Sequence, residues 1–434
     1  MKILFLAHRI PFPPDKGDKI RSHQVLKYLA ARHEVHLACL IDNRRDVQAA
    51  EELRRSLPHL IYEELRPMTQ RWRMLFALWR GQPLTVSYFH LSRLQQSLDA
   101  LLTHERFDAL FVYSSTMAEY VRACNVPLRI MDFCDLDSQK FRQYSETVAA
   151  PVSWLYRLES KRLAAYEKEV ARNFQHVLFI NPEECRLFEQ NGGGKNTVLM
   201  SNGVDVKYYE ETPFVQRTSH NHLEHALNKS PLEEGQGGVL RNTEAGEASA
   251  PPYIAFTGAM DYLPNVDAAY WCAREIFPLL RAAVPNLEFH IIGGNPARKI
   301  RKLHDRNNGV QVTGYLPDLR PRLKGANVFV APMRIARGMQ TKILEAMACG
   351  VPVVTSSAAA RGIGAEAEKE VLLADTVNDF ARQVLRLLRE PETTERLRRQ
   401  AFAFIKARFD WQKNLSVLEK LLAREAAAYR AQRV

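Results

Sequence analysis

Short, almost uninterrupted apolar runs alternate with stretches of helical spacing, and the series is read twice along the chain. KILFLA (2–7), HEVHLACL (33–40), DALFVYSS (108–115), LRIMDFCD (128–135) and HVLFINP (176–182) make the first set. PYIAFTG (252–258), LEFHIIGG (287–294), VQVTG (310–314), ANVFVAP (326–332) and VPVVTS (351–356) make the second. Runs apolar on every residue belong to strands covered on both faces, and strands alternating with helices belong to parallel sheets. A chain of 434 residues also exceeds what one core usually supports. Two doubly wound, Rossmann-like α/β domains are therefore expected. The division expected is 1–200 for the first domain, 201–214 for a connection, 215–250 for a flexible insertion, 251–400 for the second domain and 401–434 for a C-terminal helix.

The insertion is expected on composition: residues 215–250 are poor in large apolar side chains and rich in Gly, Ser, Asn and Glu, too little to offset ordering entropy. The net charge of +11 admits nucleic acid, acidic lipid or a phosphorylated small molecule as partner. No nucleic-acid recognition motif accompanies it, so nucleic acid is not expected. No segment approaches the roughly 20 apolar residues of a membrane span. The start, MKILFLAHRIPFPPDKGDK, reads as a strand and loop rather than a signal peptide. The six cysteines form no CxxC pair and read as reduced thiols of a cytoplasmic protein.

The stretch ARGMQTKILEAMACGVPVVTS (336–356) places one acidic residue, Glu345, among apolar and small neighbours. The pattern predicts a helix over about 340–349, closed by Gly350 and followed by a strand. Lys342, Glu345, Ala346 and Cys349 then share one face. Amides at the helix start attract phosphate oxygens, Lys342 adds a positive charge there, and Glu345 one turn on suits a ribose diol. A nucleoside diphosphate fits this arrangement; a plain i,i+3 Lys–Glu pair on a solvated face is the competing reading.

With FPPDKGDKIRS (12–22), SNGVD (201–205), FTGAMDYLPNVDA (256–268) and VTGYLPDL (312–319), the stretch resembles the retaining glycosyltransferases of family 4. More narrowly, RIPFPPDKGDKIRS and DFCDLDSQKF are similar to exopolysaccharide sugar transferases of bacteria with PEP-CTERM/exosortase systems. The resemblance implies the GT-B fold, two Rossmann-like domains facing a cleft, with C-terminal helices packing back toward the first domain. It implies a UDP- or GDP-sugar donor, a glycan or polyprenyl-linked acceptor and no metal or other cofactor. Glu345 then binds the donor ribose. The family's first glutamate is replaced by Arg337, which would pair with an acidic donor sugar or a phosphate or else be a surface arginine, while Gly338, Met339, Gln340 and Thr341 meet the donor sugar and phosphates. The usual basic pair after the second domain's first strand is also missing. Asn265 stands there instead, with Gly258 before it and Tyr315 in the later motif, so Lys342 takes more of the diphosphate charge and stabilises its departure. Gly17, Asp18 and Arg21 are expected beside the donor phosphates from the first domain.

For the acceptor side, Asp132 or Asp135 would orient or deprotonate the attacking hydroxyl, with His8 as a further contact. Asp135-Leu136-Asp137 is formally a DxD metal pattern, but it sits in a doubly wound context. Residues 66–83 mix Arg66, Arg71, Arg73 and Arg80 with Trp72, Leu75, Phe76 and Trp79. They suit either a helix on an anionic membrane surface, which would make the protein peripheral, or one packed on its own domain. A nucleotide-sugar epimerase and a non-catalytic nucleotide-sugar-binding protein remain alternatives to transfer.

Overall fold

A computed structural model describes residues 1–14, 17–43, 45–210, 251–336 and 338–431. The expected insertion at 215–250, the connection from 211 onward and Arg337 lie outside these described residues. The chain divides into two units: unit 1 is Met1–Gly203 with Trp411–Val434, and unit 2 is Val204–Asp410.

Unit 1 runs β1 (Lys2–Ala7), α1 (Gly17–Ala30), β2 (Glu34–Ile41), α2 (Arg45–Ser56), β3 (Leu60–Glu64), α3 (Pro67–Trp79), α4 (Leu84–Phe89), α5 (Ser92–His104), β4 (Ala109–Tyr113), β5 (Leu128–Cys134), α6 (Asp137–Thr147), α7 (Val152–Arg172), β6 (His176–Phe179), α8 (Pro182–Gln190) and β7 (Thr197–Leu199). Its seven strands are ordered β3-β2-β1-β4-β5-β6-β7 and pair in parallel. β1 pairs on both sides, Phe5 with Leu37 and with Phe111, so both its faces are covered and every residue after Lys2 is buried.

Unit 2 has strands β8 (Tyr253–Thr257), β9 (Glu288–Ile292), β10 (Val310–Gly314), β11 (Val328–Ala331), β12 (Val353–Thr355) and β13 (Leu372–Leu373), ordered β10-β9-β8-β11-β12-β13. In both sheets the order reverses beside the first strand: β1 meets β4, and β8 meets β11. Ligands of open α/β sheets bind at that reversal, beyond the carboxyl ends of the strands. The expected two Rossmann-like units are present.

The C-terminal region differs from the single helix expected over 401–434. A helix Pro391–Arg408 closes unit 2 and a second, Trp411–Ala431, belongs to unit 1. Leu415, Leu418 and Leu422 of the latter are buried in unit 1's core with Val25 and Leu29 of α1. The Val204 amide donates to the Phe409 carbonyl at 2.7 Å, which seals the break.

Candidate functional site

The site in unit 2 is assembled at the β8–β11 reversal. Gly258 ends β8, and a Cβ there would meet Asn265 Nδ2 at 2.5 Å; a Cβ on Gly293, after β9, would lie 1.7 Å from the Gly258 carbonyl oxygen. Only glycines let these two strand ends close together and leave Asn265 against the backbone. Asn265, itself buried, donates from Nδ2 to the Ala259 carbonyl at 3.0 Å. Its Oδ1 accepts from the Lys342 ammonium.

Lys342 stands in the first turn of the helix Thr341–Ala348. Five of that helix's eight residues (Ile343, Leu344, Ala346, Met347 and Ala348) are buried, which fixes its rotation. Gly350, in the left-handed region at φ 64°, donates to the Met347 carbonyl, and Val351 donates to Ala346, both at 2.9 Å. That paired closure is the Schellman arrangement, and it returns the chain directly into β12.

Rotation so fixed leaves Lys342 and Glu345 together on the remaining face. The ammonium lies 3.8 Å from Met333 Sδ and 5.1 Å from the centre of the Phe256 ring. Burial lowers the Lys342 pKa to about 8, against the pull of Glu345. Burial likewise raises Glu345 to about 7, against Lys342 and a hydrogen bond from the Tyr209 hydroxyl. Two oppositely charged groups are thus held half-buried on one helix face, each uncomfortable in its ionised form. An incoming diphosphate relieves the lysine, and hydroxyl donors relieve the carboxylate.

The other second-domain residues fall nearby. Gly338 is at φ 61°, and Met339 packs on unit 2's core. The Thr341 amide donates to the Met339 carbonyl at 3.2 Å and the Ile343 amide to Gln340 at 2.9 Å, so part of the helix start is internally satisfied. Tyr315 is 72% exposed, and its Cβ lies 3.7 Å from where a Gly294 Cβ would be. Tyr209, Met333 and Phe256 were not anticipated; nothing local in the sequence ties Tyr209 to a glutamate so far along the chain.

Unit 1 corrects two expectations. Arg21 is 1% exposed and every branch of its guanidinium is used. Nε and Nη2 donate to the Asp132 carboxylate at 2.8 and 3.0 Å, and Nη1 donates to the Met200 carbonyl at 2.9 Å and Asn202 Oδ1 at 2.7 Å. Four of its five N–H donors are thus engaged inside unit 1 and the side chain is buried, so Arg21 is not presented to a phosphate. Asp132, fully buried in that pair, has no access to an acceptor hydroxyl. The pair fastens α1 to β5 and to the segment leading out of the unit.

Asp135 behaves differently. Its Oδ1 is buried with no hydrogen-bond partner among the described residues, and burial, reinforced by Glu184, raises its pKa to about 7. At the β1–β4 reversal, Asp18 accepts from Arg9 at 2.7 Å and lies 3.4 Å from His8 Nε2. Burial opposes ionisation of Asp18, but His8 and Arg9 outweigh it and hold the carboxyl far below its usual range. Gly17 is exposed, with open space where a Cβ would stand. Among the described residues, Glu34, His36 and His59 bring three ligand-type atoms together, at the opposite strand ends, where the Lys2 ammonium already sits 3.2 Å from Glu34.

Residues 251–390 match the family model of glycosyl transferases group 1. That span holds Gly258, Asn265, Lys342 and Glu345. A phosphatidyl-myo-inositol mannosyltransferase of Propionibacterium freudenreichii subsp. shermanii is 29% identical over 180 residues, 40% of this chain and 44% of that protein. An uncharacterised 44.6 kDa protein of the Klebsiella pneumoniae cps region is 19% identical, over 96% of this chain and 99% of its own. Among solved structures, HepE of Anabaena in complex with UDP superposes with a TM-score of 0.64 at 16% identity, covering 98% of this chain and all of HepE. The fold is thus shared with a protein solved holding UDP.

Proposed function

We propose that the chain is a retaining, metal-independent glycosyltransferase of family 4 that takes a UDP- or GDP-sugar donor at the β8–β11 reversal. The observation that carries this reading is the half-buried Lys342–Glu345 pair at the start of the helix Thr341–Ala348, its lysine held on Asn265. Lys342 and the adjoining amides meet the diphosphate, and Glu345 accepts from the ribose diol. The glycosidic C1–oxygen bond to the diphosphate breaks while the acceptor oxygen bonds C1 from the same face. The acceptor proton passes to the departing phosphate; Asp135, whose Oδ1 meets no donor among the described residues, is the side chain we infer as base for the acceptor hydroxyl. Charge on the leaving diphosphate is stabilised by Lys342.

A bacterial exopolysaccharide or lipid-linked glycan is the acceptor class we infer. The phosphatidyl-inositol mannosyltransferase and the cps-region protein support it. A peripheral position at the inner face of the cytoplasmic membrane is the location we infer from such an acceptor; no helix among the described residues is long and apolar enough to cross a membrane. Calorimetry against UDP- and GDP-sugars, followed by transfer assays on lipid-linked acceptors, tests the reading. Tight nucleotide-sugar binding with product formation is expected; no binding of either nucleotide class overturns it.

A further inference from the structure

Two features of unit 1 lie outside the donor site, and α7 joins them. On α3, Met68, Trp72, Leu75, Phe76 and Trp79 recur at helical spacing, and all are between 57% and 92% exposed. Gln70 and Ala77, on the other side of the helix, are buried. A helix of a soluble domain normally turns its apolar stripe inward; this one presents it to solvent, with Arg71 and Arg80 exposed beside it.

The second feature is a cavity of about 660 Å³ between α6, α7 and α8. Arg142, Arg157, Lys161 and Lys168 line it, with Trp154 and Leu158 among the apolar residues. Arg157, Lys161 and Lys168 form no ion pair among the described residues, and Arg142 reaches Glu146 only at 3.9 Å. The buried carboxyl in the lining, Glu167, is turned onto the Ser138 amide and hydroxyl at 3.0 and 2.5 Å. Burial raises its pKa to about 8, so it cancels little of the positive charge, and Glu146 is the one other carboxyl among the described residues of the lining, against the four cations.

One face of α7 supplies Trp154, Arg157, Lys161, Ala164 and Lys168 to the cavity. Another holds α3: Arg162 donates to the Leu78 carbonyl at 3.0 Å and to Gln82 at 3.1 Å, and Glu159 accepts from the Leu84 and Thr85 amides at 2.8 Å. The stripe and the cavity are therefore held by one rigid helix.

We propose that this cavity receives the phosphate headgroup of an anionic membrane lipid while α3 lies in the bilayer interface. Guanidinium and ammonium groups together match a phosphate's charge and hydrogen-bonding capacity. Trp154, 62% exposed at the rim, is the kind of side chain that settles at the headgroup level. A soluble sugar phosphate would satisfy the cations but leave the α3 stripe in water, so the occupant is a lipid. The inference deepens the lipid-linked acceptor of the proposed function, yet its readout needs no turnover.

The full chain is sedimented with vesicles of phosphatidylcholine alone and with about a third phosphatidic acid, the anionic lipid attracting basic residues. Binding to the anionic vesicles only is expected. Arg157→Gln and Lys161→Gln should each weaken it about fivefold and the pair about 25-fold, as loss of single surface cations does. Trp72→Ser with Trp79→Ser should also weaken it, while Arg55→Gln, an exposed cation on α2, should not. Cavity variants that sediment like Arg55→Gln, or wild type that binds inorganic phosphate more tightly than the vesicle, overturn the proposal. UDP binding measured on the same variants separates this outcome from failure of the donor site: it stays at the wild-type value if only the lipid site is lost.

Discussion

The Lys342 ammonium is held by the side-chain oxygen of Asn265, 77 residues earlier in the chain. Asn265 in turn is pinned by the Ala259 carbonyl and by the absence of a Cβ on Gly258. A neutral carboxamide aims the cation without neutralising it, leaving its charge for a ligand. Lys342→Ala should therefore lower kcat/KM for the donor by about 100- to 1,000-fold, the usual loss for one charge-stabilising donor. Asn265→Ala, which releases the lysine but keeps it, should cost less and mostly in KM. Equal kinetics for Lys342→Ala and wild type would remove the diphosphate site.

Opposite pKa shifts on Lys342 and Glu345 predict a narrow pH optimum. Glu345, raised to about 7, must be ionised to accept from a diol, so donor capture rises with pH through that region. Lys342, lowered to about 8, must be protonated to meet phosphate, so capture falls as pH climbs past it. The profile of kcat/KM should be bell-shaped with limbs that belong to the pair as a unit. Glu345→Gln should abolish the acidic limb and weaken donor binding about 10- to 100-fold, as loss of a charged acceptor does. An unchanged acidic limb in Glu345→Gln would assign that titration elsewhere.

Buried and doubly bonded, the Arg21–Asp132 pair should matter for stability and not for the donor. Removing one partner of a buried pair leaves the other charge unpaired, at a cost of about 3–5 kcal/mol. Arg21→Ala and Asp132→Ala should each lose that amount in urea unfolding, and Arg21→Met with Asp132→Leu together much less. Donor affinity of the folded variants should match wild type. A large rise in donor Kd with no loss of stability would return Arg21 to the phosphate site.

The difference between what the sequence disclosed and what it concealed follows from chain separation. The helix Thr341–Ala348 and its Gly350 closure were legible because spacing, cap and following strand are all local. The long central strands were legible for the same reason, while LIYEE of β3 and the two residues of β13 carry no apolar run long enough to stand out. Charge on α1 misled: Arg21 is expected beside the donor phosphates, yet it is buried on Asp132, and Lys19 is buried too, paired with Asp46 at 2.8 Å. Nor does any glycine or proline mark the break at Phe409–Asp410; it exists because Trp411 onward packs in unit 1.

Of the three carboxylates in the first-domain motif, Asp132 is spent on Arg21 and Asp137 lies 3.5 Å from the Lys140 ammonium, which leaves Asp135. Its neighbour Cys134 is at φ 63°, and Asp135 stands between β5 and the start of α6. There its buried Oδ1 meets no donor among the described residues, and its pKa near 7 lets it take up and release a proton at working pH. Asp135→Asn should lower kcat by about 100- to 10,000-fold, the range of general-base loss, with donor Kd unchanged by calorimetry. EDTA treatment should leave wild-type turnover intact, since the proposed mechanism has Lys342 meet the charge on the leaving group. Strong inhibition by EDTA, reversed by a divalent cation, would instead favour a metal bound through Asp135 and Asp137. A fall in donor affinity matching the fall in kcat would make Asp135 a binding residue rather than a base.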